Sequence, residues 1–177
     1  MDFLEQELRK AIRNVENFPR MGISFKDITP IFRNPQLVKN SIARMCEIAS
    51  KYLVTKIACI ESRGFWMGTL LAYELNLPMV PIRKKGKLPG NTVSLSYELE
   101  YGTENIEIQT DALQKDDHVL IHDDILATGG TAVAAHKLVK NTGAEVTAFL
   151  FLGELHFLNG RKNLKALNCH IESLVVL

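Results

Sequence analysis

The sequence predicts an α/β fold with a mostly parallel central sheet flanked by helices, and three observations predict it. Short apolar runs of strand length alternate with amphipathic stretches of helical period. The runs at residues 57–60, 79–82, 119–122 and 146–152 are almost continuously apolar, as strands covered on both faces are. A polar turn and a helical stretch separate the first two of them, which makes a βαβ unit of right-handed crossover. With 177 residues, 46% of them hydrophobic, the chain suits one domain with a full core, residues 1–177. No repeat, low-complexity segment or linker divides it.

The elements follow in order. Leu4, Leu8, Ala11, Ile12 and Val15 recur at helical spacing and predict a short N-terminal helix, which Pro19 and Gly22 end. Residues 23–32 mix polar and apolar side chains without a clear period. Asn34 and Pro35 read as the N-cap and first position of the next helix, because Asn accepts the free N–H groups of a first turn and Pro has none to lose. Leu37, Val38, Ile42, Met45, Cys46 and Ala49 form its apolar stripe. The strand at 57–60 leads through Glu61, Ser62, Arg63 and Gly64 into a helix at 65–75, then a strand at 79–82. Residues 83–92 hold Arg83, Lys84, Lys85 and Lys87 beside two glycines and a proline, which predicts a mobile cationic loop. Val93, Leu95, Tyr97, Leu99 and Tyr101 alternate at period two, as do Ile106 and Ile108. Residues 102–105 between them read as a hairpin turn. The α/β rhythm returns with a strand at 119–122, a helix at 130–141 stopped by Gly143, and a strand at 146–152. A loop with a short helix spans 153–168, and 171–176 reads as a last strand.

Charge and composition exclude several classes. The 21 basic and 20 acidic residues leave a net charge of +1, too little for a nucleic-acid partner bound by a general basic field. No apolar run approaches the roughly 20 residues of a membrane span, and residues 1–18 lack the pattern of a signal peptide. A soluble cytoplasmic protein is the expectation. Cys46, Cys59 and Cys169 form no close-spaced pair and read as reduced, buried thiols. His118 and His156 have no metal-ligand spacing. His122 reads as structural, and Trp66 as packed in the core or an interface.

The segment from 119 to 131 carries the chemistry. An apolar strand delivers Asp123 and Asp124, and then Ala127, Thr128, Gly129, Gly130 and Thr131 lead at once into a helix. In open α/β sheets ligands bind beyond the carboxyl ends of the strands. The turn offers backbone N–H groups, the helix start adds a positive dipole end, and two threonines add hydroxyls. Gly129 and Gly130 let the backbone wrap a tetrahedral anion closely. Carboxylates repel phosphate, so the aspartates suit sugar hydroxyls instead. Together they match a ribose 5-phosphate. Neither a Gly-Lys-Ser/Thr phosphate loop nor a GxGxxG turn is present.

These residues resemble the phosphoribosyl-pyrophosphate motif of the type I phosphoribosyltransferases. The similarity to the adenine-specific members extends over about residues 18–155. It is carried by Phe18 and Pro19 with Gly22, the run 25–30, Glu61 to Phe65, the loop 82–90 with its Leu88-Pro89-Gly90, the run 96–102 ending Leu99-Glu100-Tyr101-Gly102, and residues 123–131. The resemblance implies the type I fold with a small hood and a β-hairpin flexible loop. Residues 1–33 would supply a helix and the base-binding hood. It implies transfer of a phosphoribosyl group from 5-phosphoribosyl 1-pyrophosphate to adenine N9, giving AMP and pyrophosphate in purine salvage. Magnesium would be held mainly by substrate, with Asp123 and Asp124 reaching it through water. A homodimer is implied too.

The same resemblance distributes the roles. Ser62 and Arg63 cradle pyrophosphate, and the Glu61–Ser62 peptide is cis, with Glu61 standing where many members have Asp. Arg83 and Lys87 bind pyrophosphate, Arg83 able to reach toward the neighbouring subunit. Glu100 assists proton movement at purine N7 and Tyr101 closes over the substrates. Alternation alone puts Glu98 and Glu100 on one face and does not choose between them; the Leu-Glu-Tyr-Gly match chooses Glu100. Phe25 stacks on the purine while backbone groups of Ser24, Phe25 and Lys26 read its edge. Ser24 and Lys26 depart from the apolar residue and the Arg of many members.

Overall fold

The computed structural model describes residues 2–99 and 102–177, and the expected α/β architecture is what they form. Helix α1 (Phe3–Ala11) starts on Asp2, whose side chain accepts the Glu5 N–H. It ends earlier than the apolar spacing suggests, because Val15 belongs to a strand. Strands β1 (Arg13–Glu16) and β2 (Ser24–Asp27) pair antiparallel as a separate two-stranded sheet. Neither was legible: each is four residues long, and only the partner gives it a pattern. The short α2 (Thr29–Phe32) follows, then α3 (Pro35–Ala49), where Asn34 caps Leu37 N–H and Pro35 opens the helix as the sequence requires.

The main sheet holds β3 (Lys56–Ile60), β4 (Met79–Lys84), β5 (Thr92–Leu99), β6 (Gly102–Gln109), β7 (His118–Leu126), β8 (Glu145–Glu154) and β9 (His170–Val176). Their order is β5-β6-β4-β3-β7-β8-β9. From β4 to β9 the pairing is parallel, while β6 runs antiparallel to β4 and to β5. The hairpin therefore extends the sheet at one edge. Leu99 pairs with Gly102 and Ser96 with Asn105, so residues 102–105 are strand and not the predicted turn. Their polar composition misled because they lie at the outer end of the hairpin, where neither face is deeply covered.

Helix α4 (Gly64–Glu74) lies on one face with α1 to α3, and α5 (Gly130–Asn141) and α6 (Gly160–Lys165) on the other. Each central strand feeds both layers by alternation: Ala58 and Ile60 pack toward α5, Ile57 and Cys59 toward α4. That double coverage is why these strands read as continuous apolar runs. Gly68 of α4 is required by close approach, since a Cβ there would overlap the Cys59 sulfur and press on the His122 ring. All three cysteines are free thiols, Cys59 buried and the other two half-buried. Trp66 contacts Phe32 edge-on and is otherwise 41% exposed. Among the described residues no helix is long and apolar enough to cross a membrane.

His122 is fully buried, its Nδ1 2.7 Å from the Leu150 carbonyl oxygen, and burial drives its pKa down to about 4. The ring is therefore neutral, with its proton on Nδ1, and Nε2 has no partner. A base whose folded pKa lies below its unfolded value contributes no penalty above about pH 6.5, and costs stability as pH falls from there toward 4. The full loss is on the order of 3 kcal/mol. Thermal melts from pH 7.5 to 5 should show a fall in the wild type that His122→Leu flattens. Parallel curves would remove His122 from the acid response.

Candidate active site

Two clefts meet at the C-terminal ends of β3, β4 and β7. The first, about 370 Å³, is lined by Glu61, Ser62, Arg63, Arg83, Asp123 and Asp124, with Tyr97 and Thr131 at its side. The second, about 510 Å³, is lined by Ile23, Phe25, Ile125, Leu155 and Phe157 and by residues 127–128. Phe25, Arg63 and Ile125 border both.

Strand β7 runs further than the sequence indicates, through both aspartates to Leu126. Successive strand residues normally point to opposite faces, yet both acids line one cleft. The alternation reverses across them: Ile121 and Leu126 pack toward α5, Leu120 and Ile125 toward α4. Asp124 is 5% exposed and its Oδ2 lies 2.7 Å from Arg63 Nε. Asp123 accepts the Asp124 N–H at 2.8 Å. Burial, and then the charge of Asp124, push the Asp123 carboxyl well above the usual range. The charge of Arg63, beside Asp124, opposes that rise.

The turn beyond them is built as the spacing predicts. Gly129 has φ +85°, a left-handed conformation that costs an L side chain energy, and α5 begins at the next residue. Residues 127–131 enclose a small hollow of about 70 Å³. Its support comes from α6, a contribution the sequence hid. Asn163 Nδ2 donates to the Thr128 carbonyl at 2.8 Å. Gly160 sits so close that a Cβ there would overlap the Ala127 carbonyl oxygen. Arg161 anchors this segment to the sheet by a bidentate pair with the buried Glu154, Nη2 to Oε2 at 2.7 Å. On the other side Tyr97 of the hairpin brings its hydroxyl within 3.2 Å of Thr131 Oγ1.

Around the cationic segment the structure revises the expected loop. Arg83 and Lys84 belong to β4, and only the residues beyond them leave the sheet. The carboxylate of Glu61 receives Lys87 Nζ at 2.7 Å, the Lys84 N–H at 2.9 Å and Arg83 Nε at 3.3 Å. Buried Glu107 accepts the N–H groups of Gly86, Lys87 and Leu88 and the Thr92 hydroxyl. Burial alone would raise the Glu107 pKa, but these four donors hold it below the ordinary value. A glutamate in an alternating strand gave no sign of this.

The Glu61–Ser62 peptide is cis, as the resemblance implies, and so is Phe18–Pro19, which nothing in the pattern indicated. Arg63 turns its guanidinium onto Asp124 and over the Phe25 ring, 4.8 Å from the centroid. It thus lies where the two clefts join. Ser24 and Lys26 project to one side of β2, where β1 satisfies them: the Ser24 hydroxyl donates to Glu16 at 2.8 Å and Lys26 Nζ to Asn14 at 2.6 Å. Phe25, between them, faces the other way, against Phe18 and the cleft. The two departures from the family pattern are thus absorbed by the small sheet. Glu100 and Tyr101 lie outside the described residues. Among the described residues no three His, Cys, Asp or Glu side chains cluster as a metal site.

A parallel sheet with paired acids and a phosphate-sized turn at its carboxyl edge, beside a cis-peptide turn and converging cations, defines a phosphoribosyltransferase. The family model of the phosphoribosyl transferase domain matches residues 28–156. The chain is 49% identical over 174 residues to the adenine phosphoribosyltransferase of Cytophaga hutchinsonii, covering 98% of this chain and 96% of that one. The crystal structure of adenine phosphoribosyltransferase from Rhodothermus marinus superimposes with a TM-score of 0.93 at 47% identity, over 98% of both chains. That of the Saccharomyces cerevisiae enzyme, complexed with adenine and an imino-altritol bisphosphate, gives 0.89 at 42%, over 97% of this chain and 98% of that one. The chain belongs to the adenine phosphoribosyltransferases and is an enzyme with the type I fold.

Proposed function

We propose that this enzyme transfers the phosphoribosyl group of 5-phosphoribosyl 1-pyrophosphate to N9 of adenine, releasing AMP and pyrophosphate in purine salvage. One observation carries the reading: a cleft of acids and cations opens beside an apolar cleft, and they share Phe25, Arg63 and Ile125. A sugar held across that junction has its pyrophosphate on the polar side, its 5′-phosphate on the turn at 127–131, and its anomeric carbon between the pyrophosphate and the base.

Each residue then has a task. Asp123 and Asp124 accept the ribose hydroxyls, and the N–H groups and hydroxyls of residues 127–131 hold the 5′-phosphate. Phe25 stacks on the purine while the backbone of residues 24–26 reads its edge. Displacement at the anomeric carbon passes through an oxocarbenium-like state in which the departing pyrophosphate gathers charge. Ser62, Arg63 and Arg83 line that end of the cleft, Lys87 stands behind them on Glu61, and together they stabilise it. Glu100 moves the proton at N7, and Tyr101 covers the substrates.

Magnesium fits this donor set. Two carboxylates with oxygen donors suit a hard cation that keeps much of its water, and a diphosphate supplies the remaining ligands. Asp123 and Asp124 would hold it through water. When bound, it neutralises charge on the leaving group.

A homodimer is part of the proposal. Trp66, Leu70 and Tyr73 recur on one side of α4 and are 41%, 39% and 80% exposed, a stripe suited to a second copy. A cytoplasmic location agrees with three unpaired thiols.

A panel of five bases tests the substrate. With magnesium and phosphoribosyl pyrophosphate, adenine should release pyrophosphate far faster than guanine, hypoxanthine, xanthine or orotate. Equal release with hypoxanthine or guanine would refute the adenine assignment.

A further inference from the structure

Glu61 stands out because its side chain is a carboxylate at the floor of a cleft read as binding anions. It is only 9% exposed, and three donors of the cationic segment converge on it: Lys87 Nζ, the Lys84 N–H and Arg83 Nε. Arg83 continues the cluster by donating through Nη1 to the Lys87 carbonyl at 2.9 Å. These are the groups that would meet the pyrophosphate end of the substrate. We propose that Glu61 occupies the place of pyrophosphate among these cations, competes with it for them, and so sets how tightly pyrophosphate is held and how readily it leaves. The inference rests on the reading of this cleft given above.

Two physical points support it. A lysine or arginine side chain has a limited number of donors, and a dianionic phosphate beside a carboxylate adds like-charge repulsion. Pyrophosphate must therefore take donors from Glu61, and an almost buried carboxylate left without partners is costly. That cost is charged to binding and returned on release. Second, beyond Lys84 the backbone of the cationic segment does not depend on Glu61. Glu107 accepts the N–H groups of Gly86, Lys87 and Leu88, and so holds the main chain there, while Glu61 holds the Lys84 N–H and the side chains of Arg83 and Lys87. The Lys87 side chain can thus change partner without the segment unfolding.

The opposite role is conceivable for such a residue: a carboxylate that lines up Arg83 and Lys87 for the ligand. The two roles differ in sign. Titration calorimetry with magnesium pyrophosphate, and separately with ribose 5-phosphate, on full-length wild type, Glu61→Gln and Glu61→Asp decides between them. Glu61→Gln keeps the shape and removes the charge, so pyrophosphate should bind about 10-fold more tightly. Glu61→Asp keeps the charge on a shorter arm that reaches Lys87 poorly, and should bind about 3-fold more tightly. Ribose 5-phosphate, which lacks the pyrophosphate, should change by less than about twofold in both. Unchanged or weaker pyrophosphate binding in whichever variants fold overturns the proposal, as does a wild type that binds no pyrophosphate. AMP formation by the wild type is measured alongside. Its absence defeats the functional reading, whereas normal AMP formation with no gain in pyrophosphate affinity defeats only the role of Glu61.

Discussion

Replacing Glu100 by glutamine should lower turnover by about 100-fold or more while leaving the affinity for phosphoribosyl pyrophosphate nearly intact. Glutamine has the size of glutamate but cannot carry a proton at purine N7, so the loss falls on the chemical step and not on assembly of the complex. The position follows directly on β5, the strand whose Tyr97 already leans on Thr131 of the phosphate turn. Steady-state kinetics and a pyrophosphate-release assay measure the effect. Glu98 is the internal control, since strand alternation alone places both acids on one face. An equal loss from Glu98→Gln, or undiminished turnover in Glu100→Gln, would overturn the assignment.

The second large effect is expected far from the base. Gly160→Ala should lower kcat/KM for phosphoribosyl pyrophosphate by about 100-fold, because a displacement of the order of 1 Å in a positioning group can cost that much. The added methyl would overlap the Ala127 carbonyl oxygen, so the phosphate turn or α6 must move. Overpacking of this kind costs about 1–3 kcal/mol in stability as well. Gly130→Ala is the contrast: its Cβ would meet nothing within 4 Å, and its melting temperature should match the wild type. Should Gly160→Ala bind ribose 5-phosphate and turn over like the parent, α6 would have no part in shaping the turn.

Three glycines around the phosphate turn show what was legible in the sequence. Gly129 and Gly130 stand inside a short local motif, and their use follows from the strand before them and the helix after them. Gly160 stands in a stretch with no period, and its constraint arises from a carbonyl more than thirty residues earlier in the chain. Glu61 and Glu107 divide similarly. The turn around Glu61 was recognisable, but the donors that converge on it come from β4 and beyond, and Glu107 lies in an alternating strand that looks ordinary. Ser24 and Lys26 looked like weak points of the base site until β1 supplied Glu16 and Asn14 as partners.

By itself the sequence determined the α/β class, the parallel core, the Asn34 cap, and the strand-turn-helix that holds acids and a phosphate turn. All of these are set by neighbours a few residues apart, through periodicity, capping and backbone freedom. Tertiary structure alone decided that both aspartates share one cleft, that Arg63 lies between Asp124 and Phe25, and that residues 102–105 are strand. It also decided that α6 supports the turn and that the half-buried Glu61 gathers the cations. These depend on distant segments meeting in space, where a carboxylate, a missing Cβ or a guanidinium acquires its role only from what the fold places beside it.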